Sequence, residues 1–256
     1  MFKYLRVLFF CLPKIIWAYF TWILKFSKHP EKYSIELRFY KTQKLIRYVL
    51  KKFHINYLTY DSDELFKKNK DKARLVVCNH LSDLDPLIFI ALSEKPITFA
   101  AKIQIKKMPV VGRIVTLLNG KFLDRDDLKQ QLRIMKEIEV FMIDHPNLDW
   151  VIFPEGTRNK NPNQDILEFH HGTFRPAFKT GSDIIVMALF GTFRVLKIHD
   201  NSKNYPVEIK YIHRFTNEDY QNATTSKIAL EAHDMMSDAL KSLRKIDEVQ
   251  MKNFNA

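Results

Sequence analysis

A histidine and a carboxylate lie five positions apart, directly after a short apolar run. His80 and Asp85 belong to the segment 79–85, which follows the buried-strand pattern of residues 74–78. Across a turn, the imidazole can donate one ring N–H to the carboxylate, which leaves the second ring nitrogen basic and directed outward. This is the arrangement of a general base. Because such pairs are also frequent structural hydrogen bonds, His80 and Asp85 alone leave both interpretations open.

A second polar group follows the apolar run 150–153. Residues 153–158 read Phe-Pro-Glu-Gly-Thr-Arg. Since Pro and Gly end a strand sharply, Glu155, Thr157 and Arg158 emerge together at its end, where α/β proteins tend to bind ligands. Arginine offers a planar, permanently charged fork that suits phosphate. The turn is therefore a candidate anion-binding site, although charged turns also occur without this function.

Strand-like and helix-like segments alternate from residue 55 onward. Predicted strands cover residues 55–60, 74–78, 97–100, 120–123, 150–153, 184–190 and 207–212. Predicted helices cover residues 85–92, 128–143, 172–180 and 225–244, and the polar stretch 159–164 predicts an exposed loop. This alternation indicates an α/β fold, with a single catalytic domain over residues 55–256 around a mixed, largely covered β-sheet with flanking helices.

Most of the positive charge lies at the amino terminus. Residues 1–60 contain 12 Lys or Arg against Glu31 and Glu36, so this arm carries +10 of the net charge of +12. Such an excess indicates an anionic partner, either nucleic acid or anionic lipid. Residues 7–26 are dense in Leu, Ile and aromatic residues, as at a lipid headgroup boundary. We therefore expect a membrane-surface partner and no nucleic acid.

The apolar stretch 7–26 is nearly long enough to cross a bilayer. Lys14 lies in its middle beside Pro13, and a lysine at mid-bilayer costs about 2.5–3.5 kcal/mol. A half-buried, non-spanning anchor is therefore favoured over a membrane span, and a buried helix of a soluble fold is the third alternative. The residues after the stretch offer no small-residue cleavage site of a signal peptide.

Residues 34–53 predict a second, amphipathic helix. Basic residues recur every three or four positions at Arg38, Lys41, Lys44, Arg47 and Lys51. Apolar residues gather on another face, at Ile35, Phe39, Ile46, Val49, Leu50 and Phe53. A basic amphipathic helix is typical of membrane-surface binding, although a solvated helix over a domain core shows the same pattern. Residues 1–54 are therefore predicted to form a two-helix membrane-binding motif.

The chain has two cysteines, Cys11 and Cys78, which match no metal or redox spacing. A reducing compartment is the simpler interpretation. Together with the basic arm, this predicts a membrane-associated protein at the cytoplasmic face.

Considered together, the two motifs identify a family. Asn-His-x-x-x-x-Asp followed by Phe-Pro-Glu-Gly-Thr-Arg resembles the glycerolipid acyltransferase family typified by lysophosphatidic acid acyltransferases, and the resemblance covers roughly residues 35–245. It implies that His80 is the catalytic base and Asp85 its orienting partner. It also implies direct acyl transfer without a metal, a cofactor or an acyl-enzyme. Cys78 is then expected in the strand core and Ser82 at a turn or helix cap.

The resemblance also implies an acceptor site. Lys102, Arg125 and Arg158 would hold the phosphate of the acceptor. Glu155 and Gly156 would shape the acceptor pocket, with Thr157 in the same motif. The acceptor would be a lysophospholipid, and the donor acyl-CoA or an acyl carrier protein.

Three departures from the family's pattern leave the base and the phosphate-binding residues intact. Ile185-Val186-Met187 stands in the fourth motif, where members often carry Pro. Asn119 takes the place of a Gly at the start of the second motif, and His171 that of a Lys before Gly172. These departures bear on which acceptor is used.

The expected activity is transfer of a fatty acyl group to the 2-hydroxyl of lysophosphatidic acid, forming phosphatidic acid in phospholipid biosynthesis. One alternative keeps the chemistry but uses another lysophospholipid or glycerol 3-phosphate. A different class of alternative is a non-catalytic membrane-binding protein that retains the fold. The intact His80, Asp85, Glu155 and Arg158 favour an enzyme.

Overall fold

The structure, a computed structural model, describes residues 2–61, 72–124, 126–197 and 202–255, with side chains from residue 9 onward. Its strands are β1 (Ile55–Tyr60), β2 (Leu75–Cys78), β3 (Ile97–Lys102), β4 (Lys121–Leu123), β5 (Asp149–Ile152), β6 (Ile184–Phe190) and β7 (Tyr205–Phe215). They form one seven-stranded sheet in the order β1-β7-β6-β2-β5-β3-β4. Neighbours are parallel except β6 and β7, so β1 and β7 run against the other five strands. The predicted mixed sheet is confirmed.

Helices cover both faces of this sheet. They are α1 (Phe2–Ala18), α2 (Leu24–Lys28), α3 (Ile35–Lys52), α4 (Asp85–Leu92), α5 (Val111–Leu117), α6 (Leu128–Asp144), α7 (Arg175–Thr180), α8 (Asn217–Tyr220) and α9 (Thr225–Asn255). Side chains alternate along each strand, so Val76 and Cys78 join one hydrophobic cluster while Leu75 and Val77 join the other. Residues of α3, α4 and α5 complete the first cluster, and residues of α6, α7 and α9 complete the second.

The amino-terminal helical run continues through Pro13, which lies inside α1. Its irregularity comes later, as a π-helical turn over Tyr19–Ile23 that joins α1 to α2. Within the described residues, Phe9–Lys28 is a helix whose length and apolar composition would allow a membrane span, which is weak evidence by itself. Only 28% of its most apolar 18-residue stretch is buried, and Trp17 and Phe20 are 61% and 70% exposed. It therefore differs from the core helix of a soluble protein.

The predicted apolar face of α3 packs inward, with Phe39, Ile46 and Leu50 buried in the first hydrophobic cluster. The prediction of one basic, outward face was wrong at Arg38, which is buried and donates to the carbonyl oxygen of Leu117 at 2.5 Å and to Asn119 Oδ1 at 2.9 Å. These acceptors end α5 and lie about 80 residues away in the sequence. The predicted boundary between residues 54 and 55 falls in the turn between α3 and β1.

Two departures from the family's pattern have a local explanation. Asn119 has a φ of 61°, a left-handed conformation that Gly adopts freely and Asn tolerates. The backbone that a glycine would permit is therefore kept. At Val186/Met187, where members often carry Pro, the pairing of β6 with β7 shifts register. Such irregularities are the positions at which a strand accepts Pro.

Several boundaries differ from the predicted ones. Helix α9 continues to Asn255 instead of ending near residue 244, and a buried ion pair between Arg194 and Asp247 holds the extension against the sheet. The predicted helix 172–180 begins as a 3₁₀ turn, His171–Phe174, before α7. The loop 159–164 is exposed as predicted except at Asn159, which is buried, and Pro162, which is half-buried.

Candidate active site

The two motifs meet because the strands that precede them are neighbours. Strand β2 pairs in parallel with β5, so both carboxyl ends lie at the same edge of the sheet. The segment that follows β2 contains His80 and Asp85, and the segment that follows β5 contains Phe153–Arg158. Ligand sites of open α/β sheets lie at this edge. The fold thus brings together residues that are separated by about 75 positions in the sequence.

His80 and Asp85 form a hydrogen bond, with 2.8 Å between His80 Nδ1 and Asp85 Oδ2. The backbone N–H groups of Leu81 and Ser82 donate to the same oxygen at 2.7 and 2.8 Å. Asp85 is fully buried and begins α4, where the helix dipole favours an anion. Because Oδ2 already accepts from two backbone N–H groups, it is an acceptor for the ring as well, so Nδ1 is assigned the ring proton. Nε2 is therefore left as the basic nitrogen.

The imidazole of His80 is held in its orientation by stacking. The ring of Phe153 lies parallel to it, with 4.3 Å between centroids and 20° between planes. Phe89 of α4 packs edge-on against Phe153. The His80 side chain is 14% exposed, so the ring is enclosed by its neighbours yet still reaches solvent. This combination of a fixed ring and an open nitrogen suits a catalytic base.

Glu155 lies behind His80. Its Oε1 accepts from the backbone N–H of His80 at 2.6 Å, and its Oε2 accepts from that of Leu167 at 3.1 Å. Burial raises the pKa of Glu155, and the two N–H groups partly counteract this. Both oxygens are thus already occupied by protein donors. These contacts favour support of the segment 79–85 by Glu155, while its predicted lining of the acceptor pocket stays a prediction.

The turn after Glu155 requires a glycine. Gly156 has a φ of 64°, and a Cβ there would lie 2.8 Å from the ring of His170. Thr157 follows on the exposed part of the turn. Asn159, which the sequence analysis placed only in a loop, donates its backbone N–H to the carbonyl oxygen of His80 at 2.8 Å. The segment 155–159 therefore binds the His80 backbone on both of its polar groups.

The predicted phosphate-binding residues are more exposed than the His80–Asp85 pair. Arg158 donates to Asp83 Oδ2 at 2.5 Å, which links the two motifs across the site. Lys102 ends β3, the neighbour of β5, and is exposed. Arg125 lies outside the described residues. Among the described residues, the structure thus places Lys102 at the end of β3 and Arg158 after the neighbouring β5, at the same edge of the sheet as His80.

Two further residues contact this site and carried no assigned role in the sequence analysis. The Asn79 side chain forms hydrogen bonds with the backbone of Leu189, and Thr192 donates to Asp85 Oδ1. Asn79 belongs to the recognised motif, so its type was a usable signal. Thr192 lies 107 positions from Asp85, and no local pattern distinguishes it from other threonines.

The remaining nucleophiles near the site have structural surroundings. Cys78 is fully buried, and burial raises the pKa of its thiol well above the ordinary value, which disfavours a reactive thiolate. Ser82 is buried, and its hydroxyl accepts from the backbone N–H of Leu84 at 3.3 Å, as in a turn. Cys78 thus lies in the strand core and Ser82 at a turn, as the sequence predicts.

Comparison with known proteins agrees with this geometry. A family model described as Acyltransferase matches residues 58–189. A "Probable 1-acyl-sn-glycerol-3-phosphate acyltransferase" of Mycoplasma genitalium is 27% identical over 83% of this chain and 81% of its own length. One of the same description from Mycoplasma pneumoniae is 31% identical over 64% of this chain and 60% of its own length.

A solved structure shares the fold. The chain resembles the crystal structure of the 1-acyl-sn-glycerophosphate (LPA) acyltransferase PlsC from Thermotoga maritima with a TM-score of 0.70 and 18% identity. The likeness covers 94% of this chain and 98% of that one. Because the family match extends over more than half of the sequence and includes both motifs, the chain belongs to the acyltransferase family.

Proposed function

We propose that the protein transfers a fatty acyl group from acyl-CoA or an acyl carrier protein to the 2-hydroxyl of lysophosphatidic acid, forming phosphatidic acid. The observation that supports this most strongly is the buried Asp85 carboxylate, which orients a partly exposed His80 at the edge of the sheet. The names of the similar Mycoplasma proteins support the choice of acceptor.

The reaction uses the free nitrogen of His80. Nε2 takes the proton of the acceptor hydroxyl as its oxygen attacks the carbonyl carbon of the thioester. The new C–O bond forms, the C–S bond breaks, and the departing thiolate takes the proton from the imidazolium. Asp85 stabilises the imidazolium through Nδ1–H. General base catalysis contributes about 10²–10⁴-fold, so precise positioning of the acceptor must supply much of the remaining rate enhancement.

In this proposal, the acceptor is positioned by three cations, namely Lys102, Arg158 and the predicted Arg125. Arg158 is paired with Asp83 at the surface, and an exposed ion pair of this kind contributes at most about 1 kcal/mol. A phosphate dianion can therefore take the place of Asp83 at low cost. The guanidinium fork then binds two phosphate oxygens, which holds the acceptor hydroxyl near Nε2.

The proposed membrane partner is an anionic lipid surface at the cytoplasmic face, contacted through residues 1–54. Large apolar side chains lie exposed along the first helical run, namely Phe9, Phe10, Leu12, Ile16, Trp17 and Phe20. Lys44 and Lys51 are exposed on α3. Apolar side chains beside basic ones are the composition of a helix that lies in the headgroup region.

A panel of donors and acceptors tests the activity. Purified protein in mixed micelles, given labelled acyl-CoA or acyl carrier protein, should yield labelled phosphatidic acid with lysophosphatidic acid, and His80→Ala should abolish it. Product only with another lysophospholipid or with glycerol 3-phosphate would overturn the choice of acceptor. Binding to lipid vesicles without any acyl transfer would indicate the non-catalytic alternative.

Vesicle binding tests the membrane surface. The double variant Trp17→Ser/Phe20→Ser should lower partition into anionic vesicles by about 10-fold or more, because burying one large apolar side chain contributes about 1.5–3 kcal/mol. Leu230→Ser is the matched control, since Leu230 is an equally exposed apolar residue on α9, which packs on the opposite face of the sheet. Equal losses in both variants would contradict the proposed surface.

A further inference from the structure

The two oxygens of the Asp85 carboxylate have different partners. Oδ2 receives His80 Nδ1 and two backbone N–H groups. Oδ1 receives the hydroxyl of Thr192 at 2.5 Å. Thr192 is fully buried, so water does not compete for this hydrogen bond. The orientation of the carboxylate plane, and with it the direction in which Oδ2 faces the imidazole, thus depends on a side chain outside both motifs.

The turn after β6 places Thr192 next to Asp85 Oδ1. Strand β6 ends at Phe190, and Gly191 follows with a φ of 96°. A Cβ at Gly191 would lie 2.4 Å from the carbonyl oxygen of Pro206 on β7, so only glycine fits this turn. The turn leads directly into the short 3₁₀ helix Thr192–Arg194. Behind it, Arg194 forms a buried ion pair with Asp247 of α9.

The end of β6 also holds Asn79, the first residue of the segment 79–85. Asn79 Nδ2 donates to the carbonyl oxygen of Leu189, and the N–H of Leu189 donates to Asn79 Oδ1, each at 2.9 Å. Asn79 is fully buried. The end of β6 therefore contacts the first residue of the segment 79–85 through Leu189, and the 3₁₀ helix that follows contacts its last residue through Thr192.

We infer that Thr192 is a positioning residue that sets the orientation and basicity of the catalytic pair through Asp85. The inference deepens the proposed function, on which it rests. The hydroxyl of Thr192 draws negative charge toward Oδ1, which tempers the stabilisation that Oδ2 gives to the imidazolium of His80. Without this hydroxyl the carboxylate can rotate, and its charge is balanced only on the side of Oδ2.

Thr192→Val, which keeps the shape but removes the hydroxyl, tests the inference. It should lower kcat by about 10-fold, the lower end of what a hydrogen bond to a charged group contributes, with the KM of the acceptor unchanged. The acidic limb of the pH profile of kcat/KM should move to higher pH, because the imidazolium is then stabilised more strongly. The other titratable groups beside the pair, Glu155 and Cys78, are unaltered in this variant.

Two companion variants separate positioning from general destabilisation. Thr192→Ser keeps the hydroxyl and should retain kcat within about twofold. Thr98→Val is the matched control, because Thr98 is also fully buried but its hydroxyl has no hydrogen-bond partner within the described part of the chain. An unchanged kcat in Thr192→Val, a rise in KM alone, or an equal loss in Thr98→Val would overturn the inference.

A measurement without substrate keeps this test independent of the proposed function. The ¹⁵N shifts of the His80 ring, assigned by comparison with His80→Gln, should differ between the wild-type protein and Thr192→Val, and Thr192→Ser should restore them. Unchanged shifts would overturn the role of Thr192 even if no acyl acceptor were found. If Thr192→Val fails to fold, Thr192→Cys, whose thiol is a weak donor, should show the same change in smaller measure.

Discussion

Two fully buried carboxylates flank the turn after β6, and their surroundings are opposite. Asp85, on one side, accepts hydrogen bonds from His80, from two backbone N–H groups and from Thr192. Glu208 of β7, on the other side, lies opposite Phe190; no donor among the described residues lies within hydrogen-bond distance of its oxygens, and the Asp247 carboxylate is its neighbour. Their burial is the same, with 0% of either residue exposed.

At equal burial, the two carboxylates differ in the hydrogen-bond donors that surround them. Four donors surround the oxygens of Asp85, an arrangement that favours the carboxylate as the acceptor for the His80 ring. For Glu208, burial first and the neighbouring Asp247 carboxylate second raise the pKa to about 8, so Glu208 keeps its proton at neutral pH. The nearby cation, Arg194, is paired with Asp247. One carboxylate thus orients the proposed base, and the other is a neutral part of the core.

The largest effect is expected from Asp85→Asn. Depending on its orientation, the amide turns either its NH₂ group or its more weakly accepting oxygen toward the N–H groups that the carboxylate accepts from. It also permits the wrong tautomer of His80. We expect kcat to fall by about 10²–10⁴-fold, measured with saturating donor and acceptor. Asp234→Asn, at an exposed aspartate of α9, is the control. A loss below fivefold in Asp85→Asn would show that Asp85 does not orient the base.

An intermediate effect is expected from Glu155→Gln. The amide oxygen can accept from only one of the N–H groups of His80 and Leu167, and its NH₂ group then faces the other donor. An unsatisfied buried donor costs about 1–3 kcal/mol, so we expect lower stability and a kcat reduced by about 10-fold.

The pH dependence of this deficit follows from the raised pKa of Glu155. The stability that this group contributes is fully present below its unfolded-state pKa and is lost as pH rises through the folded-state value. Because Gln does not titrate, the deficit of Glu155→Gln should shrink as pH rises. Denaturant unfolding in detergent at several pH values measures this, and a deficit that grows with pH would contradict it.

The smallest effect on activity is expected from Glu208→Gln, which should retain kcat within about twofold. Its effect on stability should be a gain at high pH, whereas Glu155→Gln is expected to lose stability. The folded-state pKa of Glu208, about 8, lies above the unfolded value, so wild-type stability declines as pH rises toward 8, by up to about 1.4 kcal/mol per pH unit. The variant escapes this decline, and it should therefore gain stability over the wild type as pH rises.

Unfolding of both proteins at pH 6 and pH 8.5 checks this prediction. A gain that is equal at the two pH values would mean that Glu208 does not bind a proton in the folded state. A large loss of activity in Glu208→Gln would mean that the comparison with Asp85 is wrong, because Glu208 would then also act on the catalytic pair.

Some features were predictable because they are local. All seven strands were predicted, since each is a short apolar or alternating run bounded by turn residues. Both motifs were found at strand ends for the same reason. Arg38 was predicted at the surface because its spacing matches the basic face of α3, yet it turns inward to acceptors on α5. Helical periodicity reports which residues share a face and carries no information on distant acceptors.

The amino-acid sequence by itself determined the α/β order of elements, the basic amino-terminal arm and the two family motifs, because each is encoded by neighbouring residues. Only the tertiary structure decided that β2 and β5 are neighbours, that Glu155 supports the backbone of His80, and that Thr192 reaches Asp85. These contacts join residues 75 to 107 positions apart. The donors around Asp85, and the burial of Glu208 beside Asp247, arise only once the sheet has assembled.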